Sequence, residues 1–173
     1  MIFSRFLLGK FLLLTMLAVG CAGYRLGNIP RTDMEGVETI YVPVVKNLTF
    51  EPGLEVVTTN AIIREIENDG TYQTSRLRNA DATLDVTITK FSREPLRRDI
   101  GDASFVTEYR GVLEAKVSLT NLKTGTLLFK DRTVKGTTDY FFQDNFQEVE
   151  RQALPLASIS LAQKISGMVT DGW

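Results

Sequence analysis

The sequence predicts an α/β (α+β) two-layer sandwich, in which a four-stranded mixed sheet carries two helices on one face in the order β-α-β-β-β-α. Two segments alternate apolar and polar residues, which is typical of strands with one buried face. Two longer segments repeat apolar residues at helical spacing, as amphipathic helices do. Two strands joined through a helix, followed by strands in direct succession, indicate a sheet of mixed direction.

The first strand is predicted around Ile40, Val42 and Val44, and the residues between them are also mostly apolar. An apolar run on both faces favours a buried strand. Pro43 has no N–H to donate to a neighbouring strand, so we expect this strand to have an unpaired side or to end early.

The first helix is predicted to open with Pro52 and Gly53, because proline is tolerated in a first helical turn. Gly70 can adopt the left-handed conformation that commonly ends a helix. The apolar residues between them lie at helical spacing and form the predicted buried stripe: Leu54, Val57, Ala61, Ile62 and Ile66.

The second and third strands show the clearest alternation. In the second, Leu84, Val86 and Ile88 alternate with polar residues, and the third runs from Leu113 to Leu119 in the same way. A short hairpin loop at residues 121–125 then leads into a fourth strand at about residues 126–137.

The last helix is predicted to begin at Asp144, with Gln147 as its capping partner. Pro155 is expected to kink or split this helix, since its ring clashes with the carbonyl four residues earlier. The predicted apolar stripe is Leu154, Ala157, Leu161, Ile165 and Met168.

The N-terminal residues 1–20 have the three parts of a secretory signal peptide. Arg5 and Lys10 supply the positive flank, residues 11–19 are uncharged and mostly apolar, and Gly20 is a small residue before the cut. A retained transmembrane anchor is the alternative, but it needs about 20 apolar residues. Arg25 limits extension of the apolar run.

Cys21 is the single cysteine of the chain and stands where the apolar run ends. The segment from Leu17 to Cys21 resembles the lipobox of bacterial lipoproteins, in which a lipid is attached to the thiol after cleavage. An incidental buried thiol is the alternative. Ala22, where an aspartate would imply inner-membrane retention, implies by the same resemblance an outer-membrane location. We therefore predict a lipidated tether at residues 21–36 and a single periplasmic domain at residues 37–173.

The composition excludes several classes of function. The chain has 20 Lys and Arg residues against 21 Asp and Glu residues, so no positive excess favours nucleic-acid binding. It has no histidine and one cysteine, which excludes Ser-His-Asp triads, Cys-His pairs and His or Cys metal sites. We predict that the protein is not an enzyme and uses no metal or other cofactor.

Several short segments together resemble the lipopolysaccharide-assembly lipoproteins of the LptE family. The resemblance covers nearly the whole chain, and its most telling part is Cys21-Ala22-Gly23-Tyr24-Arg25. The other segments that carry it are Ile40-Tyr41-Val42-Pro43-Val44 with Asn47 and Thr49, Glu51-Pro52-Gly53-Leu54-Glu55, Asp81-Ala82, and the last helix from Ala153-Leu154 to Leu161-Ala162.

The resemblance implies that residues 37–173 form an LptE-like domain without catalytic activity. Such proteins lie as a plug inside a large outer-membrane β-barrel (LptD-like), help it to fold, and assist lipopolysaccharide delivery to the outer leaflet. The implied partners are this barrel, lipopolysaccharide, and the membrane through the lipid anchor. An accessory subunit of another secretion or transport complex, and an enzyme that uses carboxylates alone, are the alternatives.

A contact site for anionic lipopolysaccharide should be basic. Arg93, Arg97 and Arg98 lie in the segment 91–103, which Pro95 and Gly101 mark as a loop or strand end. Arginine suits phosphate because its planar fork allows bidentate hydrogen bonds. The alternative is a solvated hairpin in which these arginines pair with Glu94, Asp99 and Asp102.

Overall fold

The structure is a computed structural model that describes residues 32–98, 101, 106–141 and 145–171. The predicted signal peptide and Cys21 lie outside the described residues. Among the residues described there are six strands and two α-helices. The strands are β1 (Thr39–Tyr41), β2 (Lys46–Asn47), β3 (Gln73–Thr74), β4 (Ala82–Arg98), β5 (Val106–Asn121) and β6 (Leu127–Phe141). The helices are α1 (Leu54–Asp69) and α2 (Phe146–Asp171).

The strands form one mixed sheet in the order β3-β1-β4-β5-β6, and β2 pairs with β4 beside β1. β1 runs parallel to both β3 and β4, whereas β4, β5 and β6 form an antiparallel meander. The predicted mixed α+β sheet is therefore confirmed. The predicted number of four strands is wrong, and the observed order is β-β-α-β-β-β-β-α instead of β-α-β-β-β-α.

The first predicted strand is interrupted at Pro43, as expected, and its two pieces both pair with β4. Tyr41 lies opposite Thr83, and Lys46 lies opposite Thr87. Lys46 is five residues after Tyr41, whereas their partners Thr83 and Thr87 are only four residues apart on β4. The break therefore contains one extra residue. The missing proline N–H explains why the ladder stops there.

Two further differences come from pairing between distant segments. β3 is only two residues long and pairs with β1, so it shows no alternation along the sequence. β4 continues to Arg98 through a segment that we predicted as a loop or strand end, and Pro95 pairs there with Tyr109. No described strand pairs with this part of β4 on the side away from β5, so Pro95 lies in an edge segment, where proline is tolerated in a sheet.

α1 ends before Gly70 as predicted, but it begins at Leu54, so Pro52 precedes the helix instead of lying in its first turn. Gly53 and Gly70 both have the left-handed conformation, with φ of 81° and 77°, and the N–H of Gly70 donates to the carbonyl of Ile66. The predicted stripe is wrong at Val57, which is 38% exposed. Thr58 is buried in its place, and its hydroxyl lies 3.1 Å from that of Ser158 on α2.

α2 continues through Pro155 as one helix, so it is not split. Ala157, Leu161 and Ile165 are completely buried and hold the second half of the helix against the sheet. Proline removes the hydrogen bond to the carbonyl of Arg151, and Arg151 lies on the exposed side of the helix, where water can reach that carbonyl. Burial of the apolar face therefore maintains the helix despite one lost hydrogen bond.

α2 crosses β6 at Gly136. A Cβ at this position would lie 2.3 Å from the carbonyl oxygen of Ala157 and 2.5 Å from the nitrogen of Leu161. The helix backbone rests directly on the strand there. Only glycine permits this distance between the two elements.

α2 also covers the middle of the outer edge of β6. The N–H of Thr137 donates to Oγ of Ser160 at 3.1 Å, and Nζ of Lys164 donates to the carbonyl of Lys135 at 2.7 Å. These contacts satisfy backbone groups that an edge strand otherwise offers to another chain.

Chain segments meet around Asp81 at one end of the sheet, which we call the tether end. It comprises the start of β1, β4 and β6 and the end of β5. Oδ2 of Asp81 accepts from the N–H groups of Glu38 and Thr39 at 2.9 and 3.0 Å, and Oδ1 lies 2.8 Å from Nζ of Lys123. Met34 is completely buried near this end, although it belongs to the segment 21–36 that we predicted as a tether.

We expect Asp81 to make unfolding pH-dependent. The Lys123 ammonium and the N–H of Glu38 hold the pKa of this carboxyl well below its usual value. Its stabilisation is therefore complete above the unfolded pKa of about 4 and is lost as the pH falls below that. Asp81→Asn should lower stability at neutral pH and remove this part of the acid dependence, which urea melts from pH 7 to 2 would measure. Equal pH slopes for both proteins would contradict the expectation.

Candidate functional site

The face of the sheet that points away from the helices is mostly polar; we call it the open face. Apolar side chains on it include Val112, Leu127 and Phe141, which pair with Ser92, Thr120 and Glu108. On the other face, Leu84, Val86 and Ile88 of β4 and their partners on β5 lie in the core. Because strand side chains alternate, the residues between them point outward. On the three long strands these are Thr83, Asp85 and Thr87; Lys116, Ser118 and Thr120; and Thr133, Lys135 and Thr137.

Ion pairs join neighbouring strands across the open face. Nζ of Lys135 lies 3.1 Å from Oε2 of Glu114. Arg110 donates from Nε and Nη2 to the two oxygens of Asp139 at 2.7 and 2.8 Å, which holds the pKa of that carboxyl below its usual value. Exposed pairs of this kind contribute only about 0–1 kcal/mol each. Their main consequence is a hydrophilic surface without a large excess of either charge.

A partly buried charge network lies on the opposite face. It is near the end of the sheet away from the tether, where β4 ends at Arg98 and β5 begins at Val106; we call this end of the sheet the hairpin end. Arg93 of β4 donates from Nε and Nη2 to the carboxylate of Glu150 on α2, with Nη2 and Oε2 2.6 Å apart. The Tyr140 hydroxyl donates to the same carboxylate at 3.1 Å. Burial and the charge of Glu150 raise the pKa of Tyr140.

This network fixes the role of Arg93 in the fold. Glu150 is 6% exposed, and a buried carboxylate that loses its cation is strongly destabilising. The guanidinium also lies 5.8 Å from the centre of the Phe91 ring. Arg93 therefore joins the start of α2 to the sheet.

The structure does not bring the three predicted arginines together. Arg93 lies on the helix side, whereas Arg97 is opposite Glu108 on the open side, with Nη2 and Oε2 3.5 Å apart. The Arg97 side chain is 69% exposed. Arg98, the last residue of β4, is also exposed. The structure thus pairs Arg93 and Arg97 with acids other than the predicted ones.

Of the predicted acidic partners, Asp99 and Asp102 lie outside the described residues, and Glu94 lies opposite Arg110. Sequence reasoning missed Glu150 and Tyr140, because 57 and 47 residues separate them from Arg93. A charged residue on the apolar face of a helix would have indicated a buried ion pair. Glu150 did not give this signal, because it precedes the predicted apolar stripe, which begins at Leu154.

A rigid loop between β2 and α1 presents Phe50 to solvent. The side-chain amide of Asn47 donates to the carbonyl of Glu51 and to Glu55, and its oxygen accepts from the N–H and hydroxyl of Thr49. Phe50 is fully exposed within this loop. These hydrogen bonds hold the backbone of the loop, so less backbone entropy would be lost if Phe50 contacted a partner.

Within the part of the chain that the structure describes, no group of three or more His, Cys, Asp or Glu residues could hold a metal ion. No helix among the same residues is long and apolar enough to cross a membrane.

The family model of the lipopolysaccharide-assembly family, LptE, matches residues 37–166. The chain belongs to this family. The match includes every strand of the sheet, α1, and α2 as far as Ser166. It therefore covers the open face and the hairpin end. No curated protein matches the chain.

Solved structures share the fold at low sequence identity. A protein from Xanthomonas campestris is 11% identical with a TM-score of 0.53, over 86% of this chain and 94% of that one. A putative lipoprotein from Caulobacter crescentus is 10% identical with a TM-score of 0.50, over 75% and 89%. PelC from Paraburkholderia phytofirmans, solved as a dodecamer, is 13% identical with a TM-score of 0.50, over 84% and 94%. At these identities the likeness shows the fold alone.

Proposed function

We propose that this lipopolysaccharide-assembly protein is the plug and assembly partner of the outer-membrane β-barrel that exports lipopolysaccharide. The observation that carries the proposal is the family match over residues 37–166. In this role the protein is not an enzyme; it supports the barrel and assists delivery of lipopolysaccharide to the outer leaflet.

The open face supports this role physically. The interior of a large outer-membrane barrel is polar, and a plug must present a polar surface to it. Thr87, Lys116 and Thr133 lie side by side on three adjacent strands and provide hydroxyl and ammonium groups for that wall. An apolar sheet face would instead require a hydrophobic partner.

The proposal includes a lipid anchor at Cys21, which would hold the domain on the periplasmic side of the outer membrane. It rests on the signal-like residues 1–20 and on Ala22 in the position that governs retention. Two or more acyl chains are needed for stable anchoring, because a single chain binds only marginally.

Direct lipopolysaccharide contact is proposed for Arg97 and Arg98, with Arg93 holding the hairpin end against α2. Arg97→Glu with Arg98→Glu should weaken lipopolysaccharide binding by about tenfold or more, equivalent to 1.4 kcal/mol. Binding by the original chain should fall with salt, since exposed charges are screened over about 8–10 Å. Fluorescence titration with labelled lipopolysaccharide at two salt concentrations measures both effects.

The control for this change is Arg64→Glu with Lys130→Glu, which reverses two exposed charges away from the hairpin end. The control should bind as the original chain does. Equal loss in both double variants would indicate a response to net charge only. Arg93 is left unchanged, because a glutamate there would face Glu150.

Site-specific cross-linking tests the plug role. A photoreactive residue at Thr87 or Lys116, on the open face, should give adducts with the export barrel in outer membranes. Arg64, exposed on α1, is the matched position on the helix layer. Adducts from Arg64 alone would place the helix layer against the barrel. Adducts with an unrelated protein from the open face would overturn the proposed partner.

A further inference from the structure

β6 is the last strand of the described sheet on its side, and α2 covers only part of its outer edge. Side chains of α2 bind the N–H of Thr137 and the carbonyl of Lys135. Backbone groups of alternate residues point to the same side of a strand, so those of Thr133 also point outward. No described strand pairs with the N–H and carbonyl of Thr133 or with the N–H of Lys135. This part of the edge can therefore accept a further strand.

A groove of about 640 Å³ runs beside the open part of the edge. Arg132 and Val134 lie on the helix side of β6, because they are opposite the core residues Val117 and Ala115. The nearly buried Met168 and the half-buried Val134 form an apolar floor. The residues that bound the groove are 132–135 of β6 and Lys164, Gly167, Met168 and Asp171 of α2.

The unpaired backbone groups define the kind of molecule that fits this edge. N–H and carbonyl groups at strand spacing are complementary to another extended peptide, whose backbone provides affinity while flanking pockets select its side chains. Lys164 already binds the edge at residue 135. On the other side, a bulge at Asp131, with φ of 50°, interrupts the strand. The open stretch therefore accepts only a short extended segment.

The charges of the groove favour an acidic segment. Arg132 and Lys164 are exposed, and neither forms an ion pair with a carboxylate of the described residues. The Lys135 side chain instead points to the open face, where it pairs with Glu114. Asp171 is the one acid among the residues that line the groove. Two uncompensated cations against one acid leave a positive excess, which attracts acidic side chains.

The groove is compatible with a domain that lies inside a barrel. The side chains of Thr133 and Lys135 point onto the open face, whereas the groove lies on the helix side of the same strand. Contact between the open face and the barrel wall therefore leaves the edge of β6 accessible. A segment of the barrel chain that enters the lumen can reach it.

We propose that an extended, acidic segment of the export barrel adds as a short strand to residues 132–135 of β6 and places an acidic side chain near Arg132 and Lys164. This inference rests on the proposed function and deepens it. The plug is then joined to the barrel by backbone pairing at one sheet edge as well as through its open face.

Photo-cross-linking of the full chain in outer membranes tests the inference. A photoreactive residue replaces Asp171, which is exposed and lines the groove, and mass spectrometry locates the cross-linked peptide. A photoreactive residue at Thr87, on the open face, is the internal reference, because it reports barrel contact away from the groove. Both yields are measured in the original background, in Arg132→Glu with Lys164→Glu, and in Thr133→Pro. The proline removes the outward N–H and leaves the ladder with β5 intact.

The matched control is Arg64→Glu with Arg78→Glu, which changes the net charge by the same amount. Both arginines are exposed and lie outside the groove. Arg64 is on α1, and Arg78 is in the turn between β3 and β4, at the opposite side of the sheet from β6. This control should leave the yields at both cross-linking positions unchanged.

Adducts from position 171 should map to a segment of the barrel rich in aspartate and glutamate. Charge reversal at Arg132 and Lys164 should lower this yield by about tenfold, because attraction becomes repulsion. Thr133→Pro should lower it too, and the yield from Thr87 should not change. If a thermal melt shows that the proline destabilises the fold, the charge reversal of two exposed side chains decides alone.

The outcomes separate this inference from the proposed function. Equal yields from position 171 in the original chain and the charge-reversed variant would overturn it, as would adducts only with a second copy of this chain or with lipopolysaccharide. If Thr87 gives barrel adducts and position 171 gives none, the strand contact fails and the plug role stands. If neither position gives barrel adducts, both fail.

Discussion

Gly136→Ala should be among the most destabilising single changes in this protein. The added methyl carbon would lie 2.3 Å from the carbonyl oxygen of Ala157 and 2.5 Å from the nitrogen of Leu161. Both atoms belong to the backbone of α2 and cannot rotate away, so the helix must move off the sheet. We expect a loss at the upper end of the roughly 1–3 kcal/mol typical of overpacking, measured by urea unfolding of residues 32–173.

Gly167→Ala is the matched control for this experiment. Gly167 lies on α2 itself, where an added Cβ would meet no neighbouring atom within 4 Å and φ is not positive. Alanine has a higher helix propensity than glycine, so this change should be neutral or stabilise by up to about 1 kcal/mol. Equal losses at the two glycines would show that α2 does not rest on β6 at Gly136.

Leu161→Ala should remove about 2–5 kcal/mol of stability, because the deleted atoms leave a cavity between α2 and the sheet. Leu161 is completely buried, and so are Leu113 and Val117 on the facing strand β5. We expect losses in the same range at all three positions. Against a typical total of about 5–15 kcal/mol, one such change would lower the melting temperature markedly.

Leu156→Ala provides the comparison for Leu161 on the same helix. Leu156 is 57% exposed, so its truncation should change stability by less than about 0.5 kcal/mol. Thermal and urea unfolding of both variants measure the difference. A small effect at Leu113, Val117 and Leu161 alike would mean that the opposite face of β5 is buried.

The candidate site was predictable only in part. The arginine-rich segment of β4 was found from composition, and its arginines are on the surface or at its boundary, as their charge requires. Their arrangement was not predictable, because Arg93 turns toward Glu150 on α2 while Arg97 faces Glu108 on β5. The faces of β4 depend on its register with β5, which contains a bulge between Ile88 and Lys90. A shift of one residue in a strand reverses the face of every later side chain.

The sequence by itself determined the features that depend on neighbouring residues. The alternation of Leu84, Val86 and Ile88 is enough to specify a strand with one buried face, and Gly53 and Gly70 are enough to bound α1. The same is true of the break at Pro43. Only the tertiary structure decided what depends on distant segments: the addition of β2 and β3 to the sheet, the continuation of α2 through Pro155, and the contact of α2 with Gly136. These features depend on the energies of packing and pairing between residues far apart in the chain, which the periodicity of the sequence does not reveal.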